Sequence, residues 1–304
     1  MDVKLHTKLK HQIIGYYFGI FKSVFKSPNM HSLYYVDLFS GDGCCSSSRI
    51  DKDIENYLPE RYYREWDPPY SRLMEYARDS DFKLKCIFND LDMDKIELLK
   101  KEVDARGYSD YIIKSEHKQA DVFYKECLEN IRKPNRPSLF FLDPTNHRDL
   151  SFSTIKGISE FKDENTGRMP ELIINLMVYS MLKHLQSGNI ETISKALGSN
   201  SWLDKKDEYL GRGKTYLLFL NVFLENLKNL GYYTTFYQIN STKTNSPIYY
   251  LIFTTYDEKI YRIHKGMKSS IDKLKEEEWI KRNYEVDSMI DARLQKNRFL
   301  SEYL

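Results

Sequence analysis

The chain has no apolar run long enough to cross a bilayer, so neither a transmembrane helix nor a membrane partner is expected. Its opening, MDVKLHTKLKHQ, is charged from the outset and has no uninterrupted apolar stretch, which argues against a secretory leader. Cysteine is scarce. Cys44, Cys45, Cys86 and Cys127 make no C-x-x-C pair and have no histidine at metal-ligand spacing. Neither a structural zinc site nor any other metal site is expected, and reduced thiols in a cytoplasmic protein are. Charge of one sign is also lacking: 46 basic residues stand against 44 acidic, a net of +2. That balance neither demands nor excludes nucleic acid, because binding depends on a local patch. No internal repeat or low-complexity tract is present.

What the chain does have is enough apolar material for a sizeable core, 41% of 304 residues, with 24 tyrosines and 16 phenylalanines that core packing mostly explains. Residues 4–27 carry Ile13, Ile14, Tyr17, Phe18, Phe21, Val24 and Phe25, many three or four apart, which predicts an amphipathic helix. Its other side carries Lys4, Lys8, Lys10, Lys22 and Lys26, and Pro28-Asn29 ends it. Short apolar runs then alternate with helical patterns. Strands are predicted at 33–39, 84–88, 111–115, 138–142 and 172–177, with helices near 71–77, 93–106, 122–132 and 151–162. Alternation of this kind implies a parallel sheet covered on both faces. After residue 178 the pattern is helical until Gly231. Two further strands, 232–239 and 248–254, flank a turn-rich stretch and plausibly add an antiparallel pair at one edge. The implied organisation is a helical extension at 1–30, a Rossmann-like α/β domain at 31–256 with a helical insertion at about 178–230, and a charged helical segment at 257–304.

In a parallel sheet, ligands bind beyond the carboxyl ends of the strands, where strand order reverses. Four strands here end in a carboxylate or a short polar cluster. The first runs Asp37-Leu38-Phe39-Ser40-Gly41-Asp42-Gly43. Gly41 and Gly43 allow a tight turn and close approach of a ligand, with Phe39 in the same turn. An acid at the strand end suits a cationic amino-acid moiety better than a pyrophosphate. A dinucleotide site would show a third glycine, where this chain has Ser46. The motif therefore favours S-adenosylmethionine (SAM) over a nicotinamide cofactor. After the second strand, Asp90, with Asp92 as the alternative, is placed for ribose hydroxyls. The segment 44–70 accounts for the long gap between Gly43 and Asp90. After the third, Asp121 is placed for the adenine amino group, and Val122 or Phe123 for the ring. The fourth ends in Asp143-Pro144-Thr145-Asn146, where a methyltransferase brings its acceptor to the methyl group. Enzymes that methylate amino nitrogens often carry Asp-Pro-Pro-Tyr there, so Thr145-Asn146 departs from that pattern. Asp67-Pro68-Pro69-Tyr70 matches the tetrapeptide, but it falls between the first two strands and reads as a turn before a helix.

The order of an N-terminal amphipathic helix, Tyr-Tyr-Val-Asp-Leu-Phe-Ser-Gly-Asp-Gly, Phe-Phe-Leu-Asp-Pro, Glu-Leu-Ile-Ile-Asn-Leu and a late Pro-Ile-Tyr-Tyr-Leu-Ile-Phe-Thr-Thr resembles the three-Cys-motif partner proteins over about residues 5–265. The resemblance implies a class I methyltransferase-like sheet, a cofactor role for Asp37, Gly41, Gly43 and Asp90, and a reaction site at Asp143. It also implies a partner, a radical-SAM-like protein carrying a three-cysteine motif. Relatives tend to have an aromatic residue and a glycine after Asp-Pro.

Methyl transfer is thus the leading expectation, with Asp143 taking a proton or hydrogen bond from the acceptor. A nucleic-acid acceptor would draw on Lys4, Lys8 and Lys10, and on Arg262, His264, Lys265 and Lys268. Two other readings stand beside it. One is a non-catalytic SAM-binding or adaptor protein, using an exposed helix around Glu276-Glu277-Glu278. The other is a metal-dependent nuclease with Asp37, Asp90 and Asp143 at adjacent strand ends.

Overall fold

The computed structural model describes residues 5–24, 32–43, 68–78, 83–132, 136–241 and 246–266. Residues 44–67, Lys4 and Lys268 of the basic clusters, and the acidic run Glu276-Glu277-Glu278 lie outside them. Strands β1 (Leu33–Asp37), β2 (Leu84–Asn89), β3 (Ile112–Glu116), β4 (Ser138–Leu142), β5 (Glu171–Leu176), β6 (Tyr233–Asn240) and β7 (Pro247–Thr255) form one sheet in the order β3-β2-β1-β4-β5-β7-β6. The first five pair in parallel; β7 runs antiparallel to both β5 and β6. The fold is therefore a Rossmann-like α/β sheet, mostly parallel with one antiparallel edge. Its strand order reverses between β1 and β4, so a crevice opens there above the carboxyl ends.

Helices cover both faces: α1 (Leu5–Val24), α2 (Pro69–Arg78), α3 (Met93–Ala105), α4 (Ala120–Ile131), α5 (Phe152–Ser159), α6 (Val178–Gln186), α7 (Ile190–Leu197), the short α8 (Lys206–Gly211), α9 (Thr215–Asn229) and α10 at 258–266. Four of these helices, α6 to α9, make up the insertion between β5 and β6. Every residue of β1, β4 and β5 is buried, which is why those strands read as continuous apolar runs rather than alternating ones. The two-residue period still sorts side chains between faces. Tyr35, Phe88 and Phe141 pack with Ile14, Phe18, Tyr70 and Leu99 from α1, α2 and α3. Tyr34, Val36 and Phe140 pack with Phe123, Ile155, Ile193 and Phe219 on the other side.

The first strand stops two residues earlier than expected. The Asp37 carboxylate accepts the Phe39 N–H at 3.0 Å, and this local bond turns the chain at Leu38-Phe39. At the opposite end of the sheet, α1 is held by buried polar contacts. The Tyr17 hydroxyl donates to Glu171 at the start of β5, at 2.8 Å, and Thr255 donates to the same carboxylate at 2.9 Å. Burial raises Glu171 to about 7, against the pull of those two donors. The ring of His264 on α10 stands edge-on to Tyr17 at 5.2 Å.

That anchoring fixes where α1 begins: its N-terminal turns lie over the carboxyl ends of β4 and β5. Two residues of the proposed basic clusters are consequently not on the surface. Lys10 is 6% exposed and His264 is 1% exposed. Both follow the apolar stripe of their helices, Lys10 through Ile13, Ile14 and Tyr17, and His264 through Ile260. No helix among the described residues is long and apolar enough to cross a membrane.

Candidate functional site

A cavity of about 680 Å3 lies above the carboxyl ends of the strands. It is within the range of small-molecule and cofactor sites, about 300–1,000 Å3. Ten of the twelve sequence-nominated residues line it: Asp37, Phe39, Gly41, Gly43, Asp90, Asp92, Asp121, Asp143, Pro144 and Thr145. Val122 and Asn146 do not.

Asp37 ends β1 at 5% exposure. Besides the Phe39 N–H, its carboxylate takes the Tyr35 hydroxyl at 3.3 Å. Burial raises it to about 8, with the charges of Asp143 and Asp90 adding to the rise and both hydrogen bonds opposing it. A carboxyl group in this state is strongly improved by a cation beside it. The turn that follows is built on Gly41 and Gly43, both with positive φ (64° and 71°). Gly43 is also packed. A Cβ there would stand 2.5 Å from Leu99 and 2.8 Å from the Tyr70 hydroxyl, which itself donates to the Gly43 carbonyl at 3.0 Å.

Asp90 fastens this turn. One carboxylate oxygen accepts the Gly41 N–H at 3.0 Å, the other accepts the Asp92 N–H at 3.0 Å, and Lys95 lies 3.4 Å away. Asp92 caps α3 by accepting the Asp94 N–H at 3.0 Å. Both carboxylates border the cavity; Asp90 fastens the turn, and Asp92 caps a helix. Asp121 sits exposed in the first turn of α4, 3.9 Å from Lys195. Val122 is 55% exposed and Phe123 is buried in the core; neither lines the cavity.

At the fourth strand end, Asp143 faces the cavity, Pro144 is buried, and Thr145 bonds to Asp149. Asn146 accepts the Arg148 N–H at 2.8 Å and donates to Asp149 at 2.8 Å. It shapes the turn after Asp-Pro and stands outside the cavity. Burial raises the Asp149 carboxyl, and the Thr145 hydroxyl counters that rise.

Solved structures superpose on this chain at low sequence identity. Protein LPL1258 from Legionella pneumophila, of family DUF519, shares 10% identity over 90% of this chain and 92% of its own, with a TM-score of 0.53. An rRNA methylase from Streptococcus thermophilus superposes more loosely, at 12% identity, 82% and 95% coverage and a TM-score of 0.38. The methyltransferase domain of a bacterial CtHen1 gives 13%, 82%, 100% and 0.40. No protein-family profile and no curated protein matches the sequence. The likeness is one of fold.

Residues absent from the sequence-derived site complete it. Asn89, 1% exposed, closes β2 and ties three loops together. Its amide donates to the carbonyls of Leu38 (3.1 Å) and Lys118 (2.9 Å) and accepts the Lys118 N–H (3.0 Å). Asn175, the penultimate residue of β5, donates to Asp143 Oδ1 at 2.7 Å. Lys10, from α1, makes an ion pair with Asp143 Oδ2. The neighbouring His11 is held well below the usual imidazole range by burial and then by the Lys10 charge, which keeps it neutral at pH 7. A signal for Asn89 and Asn175 was present in the sequence: each is a polar residue near the carboxyl end of a largely apolar strand, where an unpaired buried amide would be costly. Pro68, Pro69 and Tyr70 also line the cavity. The helix read as beginning at Ser71 starts two residues earlier, inside the tetrapeptide, with Pro69 at its first position.

Among the described residues no three His, Cys, Asp or Glu side chains are grouped as a metal would require. Asp37, Asp90 and Asp143, the trio of the nuclease reading, are instead engaged by Phe39 and Tyr35, by Gly41 and Asp92, and by Lys10 and Asn175 respectively.

Proposed function

We propose that the protein binds SAM in this cavity and transfers its methyl group to an acceptor brought to Asp143. The observation that carries the reading is Asp37: a buried carboxyl group at the end of β1, raised to about 8 and facing a cavity at the point of strand reversal. The amino group of an amino-acid moiety would relieve it. The positive-φ turn at Gly41 and Gly43 would let the backbone approach the ligand, Asp90 would meet the ribose and Asp121 the adenine amino group. Bound SAM supplies a methyl group already activated by its sulfonium. The chain's own task is then to align the acceptor, exclude water and take up a proton at Asp143.

The order of motifs along the chain supports a finer proposal, that this is a three-Cys-motif partner protein working with a radical-SAM-like protein. A nucleic-acid acceptor draws less support, because Lys10 and His264 are buried.

Calorimetric titration of SAM into the wild type and into Asp37→Ala and Asp143→Ala tests the division of labour. Saturable binding that Asp37→Ala loses and Asp143→Ala keeps is expected. Equal binding by all three would disprove the cofactor role of Asp37, and no binding by the wild type would remove the proposal.

A further inference from the structure

Asp143 is already serving an amine. Lys10 reaches it from α1 and is almost completely buried there. The same ammonium lies 5.7 Å from the centroid of the Tyr249 ring, within range of cation–π attraction. Asn175 holds the other oxygen of Asp143 and is itself 2% exposed. Its own carbonyl oxygen is buried and has no donor. A buried amide acceptor left empty is uncommon and unfavourable. Carboxylate, aromatic face and spare carbonyl together suit one kind of guest, a nitrogen bearing several N–H bonds. All of these residues border the cavity.

We infer that this corner is the acceptor's nitrogen site and that Lys10 is its resident occupant, displaced when a substrate amine enters. The inference rests on the methyltransferase reading and names its substrate class: a primary amine carried on a larger molecule. The energetics select an amine over a hydroxyl. Removing one member of a buried ion pair costs several times more than an ordinary hydrogen bond returns. A neutral alcohol arriving at Asp143 would strand the carboxylate, whereas an ammonium replaces the charge it expels. In the transfer, the amine gives a proton to Asp143 and its lone pair forms the new N–C bond. The C–S bond of the sulfonium breaks, and its electron pair stays on sulfur as a neutral thioether.

Lys10→Ala empties the site, and n-propylammonium chloride is the probe. Saturable thermal stabilisation by this salt is expected, with none from n-propanol or from potassium chloride at equal strength. The double variant Lys10→Ala with Asp143→Asn should lose the effect. With SAM added, N-methylpropylamine should appear by mass spectrometry. Stabilisation without any methylated amine, while SAM binds, would make the Lys10–Asp143 pair merely structural and overturn the assignment. So would the absence of ammonium-specific stabilisation. If Lys10→Ala fails to fold, Lys10→Ser carries the same two readings. Failure to bind SAM would remove the cofactor reading and the acceptor role with it; SAM binding without the ammonium effect overturns the acceptor role alone.

Discussion

Asp37→Asn is expected to stabilise the protein at alkaline pH while removing its affinity for SAM. In the folded chain Asp37 keeps its proton up to about pH 8, whereas an ordinary aspartate releases it near 3.8. Between those values the folded state binds more protons than the unfolded state, so stability falls as pH rises. Asparagine has no proton to lose and escapes that fall. The ceiling is several kcal/mol, but the cavity admits water, so a gain of about 2 kcal/mol at pH 9 relative to pH 5 is expected. The same change removes the charge that would hold an ammonium, a loss of about 1.5–3 kcal/mol, or roughly tenfold to a hundredfold in affinity. Stability and function thus move in opposite directions, as they do at strained or buried functional groups. Chemical denaturation across pH, beside SAM titration, checks both halves. A variant less stable than wild type at pH 9 would contradict the assignment of Asp37 as a group held at a cost. In the wild type the bound cation should expel the proton. Binding below pH 8 should therefore release protons, seen as a heat that differs between buffers of unlike ionisation enthalpy.

The second large effect concerns Lys10. Lys10→Met keeps the aliphatic stem and deletes the charge, leaving Asp143 with Asn175 as its remaining donor. Breaking a buried pair on one side costs about 3–5 kcal/mol, and the 16% exposure of the Asp143 side chain places this case at the lower end. Lys10→Met combined with Asp143→Asn should recover most of that loss, because no unpaired charge remains. Urea denaturation of the two single variants and the double, run as a cycle, gives the coupling. Additive losses would show that the two side chains do not depend on each other.

Much of the fold was legible because its signals are local. Strands β2, β4 and β5 are short apolar runs bounded by polar clusters, and each was placed to within one residue. The carboxylates of the site were legible for a geometric reason: a parallel sheet with helical crossovers brings its carboxyl ends to one side, so Asp37, Asp90, Asp121 and Asp143 had to be neighbours. The order of the strands depends on pairings far apart in sequence, which periodicity does not encode. Lys10 was read as part of a solvated basic face because its type outweighed its phase. Counting i+3, i+4 and i+7 to Ile13, Ile14 and Tyr17 places it on the buried stripe. Val122 lies outside the cavity lining through helical phase as well: it is two residues into α4, where it is exposed and Phe123 is buried. Asn146 lies outside the lining and shapes a turn, which a polar residue after a strand does as readily as it meets a ligand. Of segment 44–70, read as an insertion, residues 44–67 fall outside the described residues, and Pro69-Tyr70 begin α2.

The most direct test of the central claim is a crystal structure grown with S-adenosylhomocysteine, the demethylated product. The account predicts density in the cavity with the amino group on Asp37, the ribose on Asp90 and the sulfur directed toward Asp143 and Lys10. A ligand seated elsewhere, or a cavity still empty at saturating concentration, would contradict it.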